Sequence, residues 1–346
     1  MGNVTGFAAV NTKLRVKKRK FLTDEDFRIL LSKNSVGEIT RYLKEHPGYK
    51  EVLRNFDPSD VHRGDLEIEL IKNIVHQIEA ILSYFQGDYR QFFLSLLIEY
   101  EIEDLKLILR MISRNEDITK IKDSLVHSEK YSHLDYDQLL QSKNVEQFLE
   151  NLKHTIYYHP LKTITDEDIT KRVFHIEMKL ETMFYGILIE KANKLSKEDQ
   201  QLVKESIGAN IDLINIQWIY RAMKNYSISP EEILIYCISN GYKLNYLKLK
   251  ELVYSKNIEA FIEKIKQTQY KFIFPNDQDV FIERRIERYL FNLYGMRRKQ
   301  NSMNIMECIS YIYFLKYEVK DIISIIECIR YNLDKELSKR YLIRKG

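Results

Sequence analysis

The sequence predicts an all-α protein built from three similar helical modules. Two features carry the fold class. The 346 residues include only 11 Gly and 5 Pro, so little in the chain interrupts a helix. Leu, Ile, Lys and Glu recur at helical spacing, and no sustained alternation of apolar and polar residues, which strands would show, lies between turn signals. A third feature, an internal repeat, predicts the modules.

A short segment is repeated three times along the chain. In two copies Asn144 and Asn257 are good N-cap residues, and Ser35 takes this role in the first copy. The apolar residues that follow lie on one face of a short helix. Each copy is followed by a tyrosine. The copies are SKNSVGEITRYLK at 32–44, SKNVEQFLENLK at 142–153 and SKNIEAFIEKIK at 255–266, and the tyrosines are Tyr49, Tyr157 and Tyr270.

Two further patterns recur in the same order after each repeated segment, with a shorter connection to the first of them in the third copy. One is a glutamate within an apolar stretch, and the other is an Asp or Asn within a longer apolar stretch. The glutamates are Glu67, Glu177 and Glu283, and the second set is Asp104, Asn215 and Asp321. Self-similarity at a long period indicates repeated structural units. We therefore expect helical modules at residues 5–115, 116–228 and 229–346.

Each module is expected to contain two long antiparallel helices. In the first module the turn signal FQGDY lies midway between Glu67 and Arg110, so a fold-back there would bring the two side chains level. The same reasoning places Glu177 opposite Arg221 in the second module. We expect an interhelix ion pair at each place, with a solvated helix face as the alternative. The third module departs from this pattern, because Glu327 occupies the position that an arginine holds in the other two modules.

Motifs that would mark an enzyme are missing from the sequence. It contains no GxxxxGK[ST] phosphate loop, no GxGxxG and no HExxH. The eight histidines and three cysteines show no metal-ligand spacing. We therefore predict no catalytic residue, no metal site and no cofactor.

The strongest charge feature is a basic run, KLRVKKRK, at residues 13–20. It could bind nucleic acid, but it is one short run on a chain whose net charge is only +4 and which has no recognised nucleic-acid motif. Contact with an acidic partner protein or with membrane headgroups is favoured. No apolar run approaches the about 20 residues that span a bilayer, so no direct membrane span is expected. The candidate contact residues are Lys13, Arg15, Lys17, Lys18, Arg19 and Lys20.

Four stretches resemble a known family. The segment FAAVNTKLRVKKRKFLTDEDFRILLSKNSVGEITRYLKE resembles the N-terminus of the C subunit of prokaryotic V-type (A/V-type) rotary ATPases, which is related to the eukaryotic d subunit. YEIEDLKLILR, IDLINIQWIYRAMKNY and YEVKDIISII are similar to the same family. The resemblance covers essentially the whole chain, and it rests on the order, spacing and threefold repetition of helical-packing patterns.

This resemblance implies a funnel of three modules around a pseudo-threefold axis. In that family the funnel sits on the cytoplasmic face of the membrane rotor ring of c/K subunits, and the D and F subunits of the central stalk plug into it. The resemblance thus implies a peripheral, non-catalytic adaptor for ATP-linked proton or sodium transport. Two other interpretations stay open. One is a generic all-α repeat scaffold, although common solenoid repeats are shorter than these modules; the other is a helical nucleic-acid-binding protein.

Overall fold

The computed structural model describes residues 2–170, 173–226, 228–275, 281–300 and 304–344. Within these ranges the regular structure is α-helical, with short 3₁₀ segments at Ile118–Ser124 and Lys271–Ile273 and no strand. The all-α prediction is therefore confirmed.

The described residues of the N-terminal part form six α-helices. Thr23 caps the second, because its hydroxyl accepts a hydrogen bond from the Asp26 amide (3.3 Å) while the Asp26 carboxylate accepts one from the Thr23 amide (2.6 Å). Ser35 caps the third helix, as the repeated segment predicts. The helices are α1 Gly2–Lys18, α2 Asp24–Leu31, α3 Val36–Glu45, α4 Arg63–Leu82, α5 Gly87–Ser95 and α6 Ile98–Ser113.

The central part also forms six α-helices within the described ranges. Asn144 caps the helix of the second repeated segment, where its side-chain oxygen accepts from the Gln147 amide at 2.8 Å. Ser196 caps the longest helix through the Asp199 amide. The helices are α7 Tyr136–Leu139, α8 Val145–Asn151, α9 Tyr158–Leu161, α10 Asp166–Thr170, α11 Val173–Ala192 and α12 Lys197–Asn225.

The C-terminal part adds six more α-helices in the described ranges. Ser229 caps the first of them, and Pro230 occupies its first position, where the missing amide costs nothing. Asn257 caps the helix of the third repeated segment and accepts from the Ala260 amide at 2.9 Å. The helices are α13 Pro230–Ile235, α14 Tyr246–Val253, α15 Ile258–Lys266, α16 Ile282–Gln300, α17 Met306–Arg330 and α18 Lys335–Tyr341.

Long helices contact each other in two ways. Consecutive helices fold back on one another, so that α4 packs on α5, α11 on α12 and α16 on α17. The turn signal FQGDY is confirmed at the first of these fold-backs, where Gly87 has the positive φ of +54° that favours glycine. The first helix of each pair also packs against an earlier or later pair: α11 contacts α5 and α6, α16 contacts α12, and α4 contacts α17. The N-terminal and C-terminal parts therefore meet in the core.

Helix α17 lies at the centre of the fold. Residues 308–319 are all buried, so this part of the helix is enclosed on every side instead of showing one apolar stripe. Its neighbours include α1, α2, α3, α4, α16 and α18. Among the described residues, no helix is both long enough and apolar enough to cross a membrane.

Candidate functional site at the contacts between helix pairs

Three buried tyrosines join distant parts of the chain to a carboxylate. Each is the tyrosine that follows one copy of the repeated segment, and each hydroxyl donates a hydrogen bond to an acidic side chain on a long helix. The bonds join Tyr49 to Glu318 (2.7 Å), Tyr270 to Asp212 (2.6 Å), and Tyr157 to Glu101. The three rings are almost completely buried. Burial also raises the pKa of each tyrosine, so the hydroxyls remain protonated donors.

Two of the three tyrosines bond to an acid that comes earlier in the chain, on the preceding long helix. Tyr157 bonds to an acid that precedes it in the chain, on α6, and Tyr270 bonds to one on α12. Tyr49 differs from these two, because its acid lies on α17, 269 residues later in the chain. The helices thus contact each other in a closed cycle, in which the N-terminal part takes the C-terminal part as its predecessor.

A second set of buried side chains holds backbone downstream of each long helix. These are the residues that align in the sequence, and each accepts hydrogen bonds from a loop that lies 22 or 23 positions further along. The bonds are Val126 N to Asp104 (2.8 Å), His127 N to Asp104 (2.9 Å), Ile238 N to Asn215 (2.7 Å), Ile343 N to Asp321 (2.6 Å) and Arg344 N to Asp321 (3.3 Å). The equivalence of Asp104, Asn215 and Asp321 in sequence therefore has a structural counterpart.

The two sets lie on one face of each long helix. The acid that receives the tyrosine stands three residues before the residue that holds the loop, and side chains at this spacing are neighbours on a helix. The pairs are Glu101 and Asp104, Asp212 and Asn215, and Glu318 and Asp321. Sequence reasoning identified the tyrosines and the loop-holding residues but missed the acids. Their constant spacing from the loop-holding residues was the signal that could have found them.

Glu318 is the acid that connects the N-terminal part of the chain to its C-terminal part. It accepts hydrogen bonds from the Tyr49 hydroxyl and from the Leu22 amide (2.8 Å), and the Arg344 guanidinium lies 3.2 Å away. Arg344 also donates to the Leu22 carbonyl at 2.7 Å. Burial raises the pKa of Glu318 to about 7, although Arg344 and the hydrogen bonds oppose the increase. This one carboxylate ties together two N-terminal segments and the C-terminal segment.

The predicted Glu67–Arg110 pair is corrected by the structure. Glu67 pairs with Arg63, one turn earlier on α4, and Arg63 also contacts Glu327 of α17. Arg110 is exposed at the end of α6. The cause is the packing of α4 against α17, because Glu67 then faces the C-terminal helix and not the partner in its own hairpin. Glu327 stands where the other two modules have an arginine, and Arg63 supplies a positive charge beside it.

The predicted Glu177–Arg221 pair is corrected in the same way. Arg221 of α12 pairs with Glu283 of α16, which is the helix that packs against it. Glu177 is half-buried on α11. Burial raises the pKa of the neighbouring Glu181 to about 7, and the charge of Glu177 adds to that increase. A glutamate and an arginine of the repeat therefore do form a pair, Glu283 with Arg221. The pair joins two consecutive hairpins, whereas the sequence predicted pairs within one hairpin.

The basic run divides into internal and exposed residues. Lys18 forms an ion pair with Glu307 of α17, and Lys17 donates a hydrogen bond to Gln77 of α4. Burial lowers the pKa of both lysines. The other four side chains are exposed and are the part of the predicted contact that a partner could reach: Lys13, Arg15, Arg19 and Lys20.

A cavity of about 330 Å³ is bordered by five helices. Side chains from α6, α11, α12, α16 and α17 line it. Its charged groups are paired across the helices: Lys316 contacts Glu99 of α6, and Lys320 lies 2.8 Å from Glu287 of α16. In the part of the chain that the structure describes, no group of His, Cys, Asp and Glu side chains could hold a metal ion.

Comparison with known proteins assigns the family. The sequence matches the ATP synthase (C/AC39) subunit family over residues 10–341. The A-type ATP synthase C subunit of Methanosarcina mazei is 26% identical over 267 residues, which cover 77% of this chain and 71% of that protein. The protein of the same name from Methanococcoides burtonii is 24% identical over 352 residues, covering 99% and 95%. Because the match extends from residue 10 to residue 341, the chain belongs to the ATP synthase (C/AC39) subunit family of the A/V-type rotary ATPases.

Proposed function

We propose that the chain couples the central stalk to the membrane rotor ring of an A/V-type ATPase. Its family makes it an accessory, non-catalytic subunit of that complex. In the proposed arrangement it lies on the cytoplasmic side, between the ring of c/K subunits and the D and F subunits of the stalk. It then passes torque during ATP-linked proton or sodium transport and performs no chemistry itself.

The closed cycle of tyrosine–carboxylate contacts is the observation that carries this proposal. We infer three modules at residues 5–115, 116–228 and 229–346, arranged around a pseudo-threefold axis as a funnel. Each tyrosine then bonds to the preceding module, and the Tyr49–Glu318 bond closes the cycle. A closed ring of equal modules suits an adaptor, because it offers one rim to the rotor ring and a socket to the stalk.

Stiffness supports the same role. An adaptor that carries torque must resist twisting, and close-packed helices are stiff because their interiors have few voids. Helix α17, enclosed over residues 308–319, connects the first and last parts of the chain. In the proposed arrangement the axis would pass through the cavity bordered by five helices, because the side chains that line it come from all three proposed modules.

The exposed part of the basic run is the proposed partner contact. Lys13, Arg15, Arg19 and Lys20 project from and just beyond the end of α1, which is itself anchored to α17 through Lys18. This anchoring holds the exposed charges in a fixed place on the fold. Their interaction with an acidic partner surface would weaken as salt increases.

A bridging experiment tests the adaptor role. Purified rotor ring is immobilised, the purified D and F subunits of the stalk are added, and their capture is measured with and without this chain. The proposal predicts that the ring captures the stalk proteins only when the chain is present. Equal capture without the chain would contradict it. Binding of the chain to only one of the two partners, or to neither, would contradict it as well.

A further inference from the structure

An apolar patch protrudes from helices α13 and α14. It consists of Ile235, Tyr246, Leu247 and Tyr254, whose exposed fractions are 74%, 63%, 71% and 47%. Side chains this exposed stand out from the surface and do not line a groove. We call these four residues, with the lysines around them, the α13–α14 patch.

The four side chains belong to one continuous surface. The Tyr254 hydroxyl donates a hydrogen bond to Glu231 of α13 at 2.6 Å, which joins the end of α14 to α13. Ile235 lies one helical turn after Glu231, on the same face of α13. Tyr246 lies two turns before Tyr254 along α14. The pKa of Tyr254 is raised first by its hydrogen bond to Glu231, then by burial, and also by the nearby Tyr246 hydroxyl. The opposite face of α14 is buried in the core.

Lysines surround these apolar side chains. Lys250 lies with its Nζ 5.9 Å from the centre of the Tyr254 ring, and Lys248 donates a hydrogen bond to the Lys243 carbonyl. Lys256 follows shortly after Tyr254. All four lysines are exposed. The patch therefore combines aromatic and aliphatic side chains with four lysines, which outnumber the two exposed acids beside them, Glu231 and Glu251.

The corresponding helices elsewhere in the chain have a different chemistry. Helices α2, α7 and α14 each precede one copy of the repeated segment. The first turn of α2 contains Asp24, Glu25 and Asp26, and the first turn of α7 contains Asp137. The first turn of α14 contains no acid and instead exposes Tyr246 and Leu247. The repeat itself does not require this patch, so it points to a contact specific to this part of the molecule.

We propose that the α13–α14 patch binds the surface of an anionic phospholipid bilayer. Tyrosine with aliphatic residues suits the boundary between headgroups and acyl chains, and lysines are attracted to anionic headgroups. A bilayer accepts protruding side chains without needing a complementary shape, whereas a protein partner binds tightly through side chains that fill pockets. The contact does not depend on the adaptor role, because it concerns lipid and neither the rotor ring nor the stalk.

Vesicle flotation with the purified full-length chain tests the proposal. Vesicles of phosphatidylcholine alone are compared with vesicles that also contain phosphatidylglycerol. We expect binding to the anionic vesicles, and we expect Lys248→Glu/Lys250→Glu to weaken it by at least about tenfold, since each lysine near such a surface contributes about 1 kcal/mol. The apolar variant Ile235→Ser/Leu247→Ser should weaken it comparably.

Two controls distinguish the patch from other surfaces. Tyr331→Ser removes an equally exposed tyrosine outside the patch and should leave vesicle binding unchanged. Lys13→Glu/Arg19→Glu tests the basic run as a competing lipid contact. Equal binding to both vesicle types, or loss of binding only in Lys13→Glu/Arg19→Glu, would overturn the proposal. Absence of binding to the anionic vesicles would also overturn it. Loss of ring or stalk capture by Ile235→Ser/Leu247→Ser would then assign the patch to a protein contact. Circular dichroism melting confirms that each variant is folded.

Discussion

Tyr49 and Glu318 lie 269 positions apart in the chain, and their side chains share a buried hydrogen bond of 2.7 Å. This bond is one of three between a tyrosine that follows the repeated segment and an acid on a long helix. It is the one that joins the first part of the chain to the last. If the modules form a ring, this bond lies where the ring closes.

The first prediction concerns Tyr49→Phe, which keeps the ring and removes the hydroxyl. The Glu318 carboxylate then loses a buried donor, so the free energy of unfolding should fall by about 1–3 kcal/mol. Urea unfolding at neutral pH measures the change. Tyr331→Phe, on an exposed ring, is the control and should have little effect. Equal stability of Tyr49→Phe and the unaltered chain would show that the bond contributes nothing to closure.

The second prediction concerns the pH dependence of stability. The pKa of Glu318 is raised in the folded state to about 7, above its value in the unfolded chain. The folded state therefore binds more protons between pH of about 4.5 and 7, and the free energy of unfolding should fall as pH rises through this window. Glu318→Gln should reduce this slope, and the full effect of the shift is about 3 kcal/mol.

Urea unfolding of Glu318→Gln at a series of pH values checks this second prediction. Burial also raises the pKa of Asp321 to about 6, so part of the slope should remain. Glu336→Gln, at an exposed glutamate on α18, should keep the whole slope. An unchanged slope in Glu318→Gln would contradict the pKa assignment.

The third prediction concerns Asn215, which differs from the aspartates aligned with it. Its side-chain oxygen accepts from the Ile238 amide at 2.7 Å, and its nitrogen donates to the Ile238 carbonyl at 2.8 Å. Asn215→Asp cannot donate and places a carboxylate against that carbonyl in the core. We expect a loss of about 3 kcal/mol in the free energy of unfolding. Asn225→Asp, exposed on the same helix, should change it little, and similar losses in both variants would contradict this account.

The fourth prediction separates the two parts of the basic run. Lys18→Ala leaves the half-buried Glu307 without its partner and should lower the free energy of unfolding by about 2 kcal/mol. Lys13→Ala changes only an exposed side chain and should stay within about 0.5 kcal/mol. Thermal or urea unfolding compares the two variants. The opposite ranking would mean that Lys18 is not an internal anchor.

The fifth prediction concerns assembly. Lys13→Glu/Arg19→Glu should weaken capture by the ring or the stalk, and the difference from the unaltered chain should shrink as salt increases, because salt screens exposed charges. Folding should not change. Capture that is independent of both the substitutions and the salt concentration would remove the basic run from the interface.

The sequence predicted local structure well because caps and helix starts are local. Ser35, Asn144 and Asn257 cap helices where the sequence places the caps, and hydrogen bonds across a few residues determine each one. The alignment of Asp104 with Asp321 also predicted a shared structural role, because the repeat preserves the loop that each side chain holds.

The partner of Glu67 could not be predicted in the same way. Helical periodicity shows which residues share a face, but it does not show which neighbouring helix lies opposite that face. We assumed that the hairpin partner would face Glu67, whereas α17 lies there. The Tyr49–Glu318 bond depends on the same long-range packing and therefore required the structure.

The most direct test of the central claim is electron cryo-microscopy of the ATPase complex, purified from source membranes through a tag on this chain. The adaptor role predicts density for the chain between the rotor ring and the central stalk, with its three hairpins arranged around the rotation axis. A complex that lacks the chain, or that carries it at the periphery away from that axis, would contradict the adaptor role.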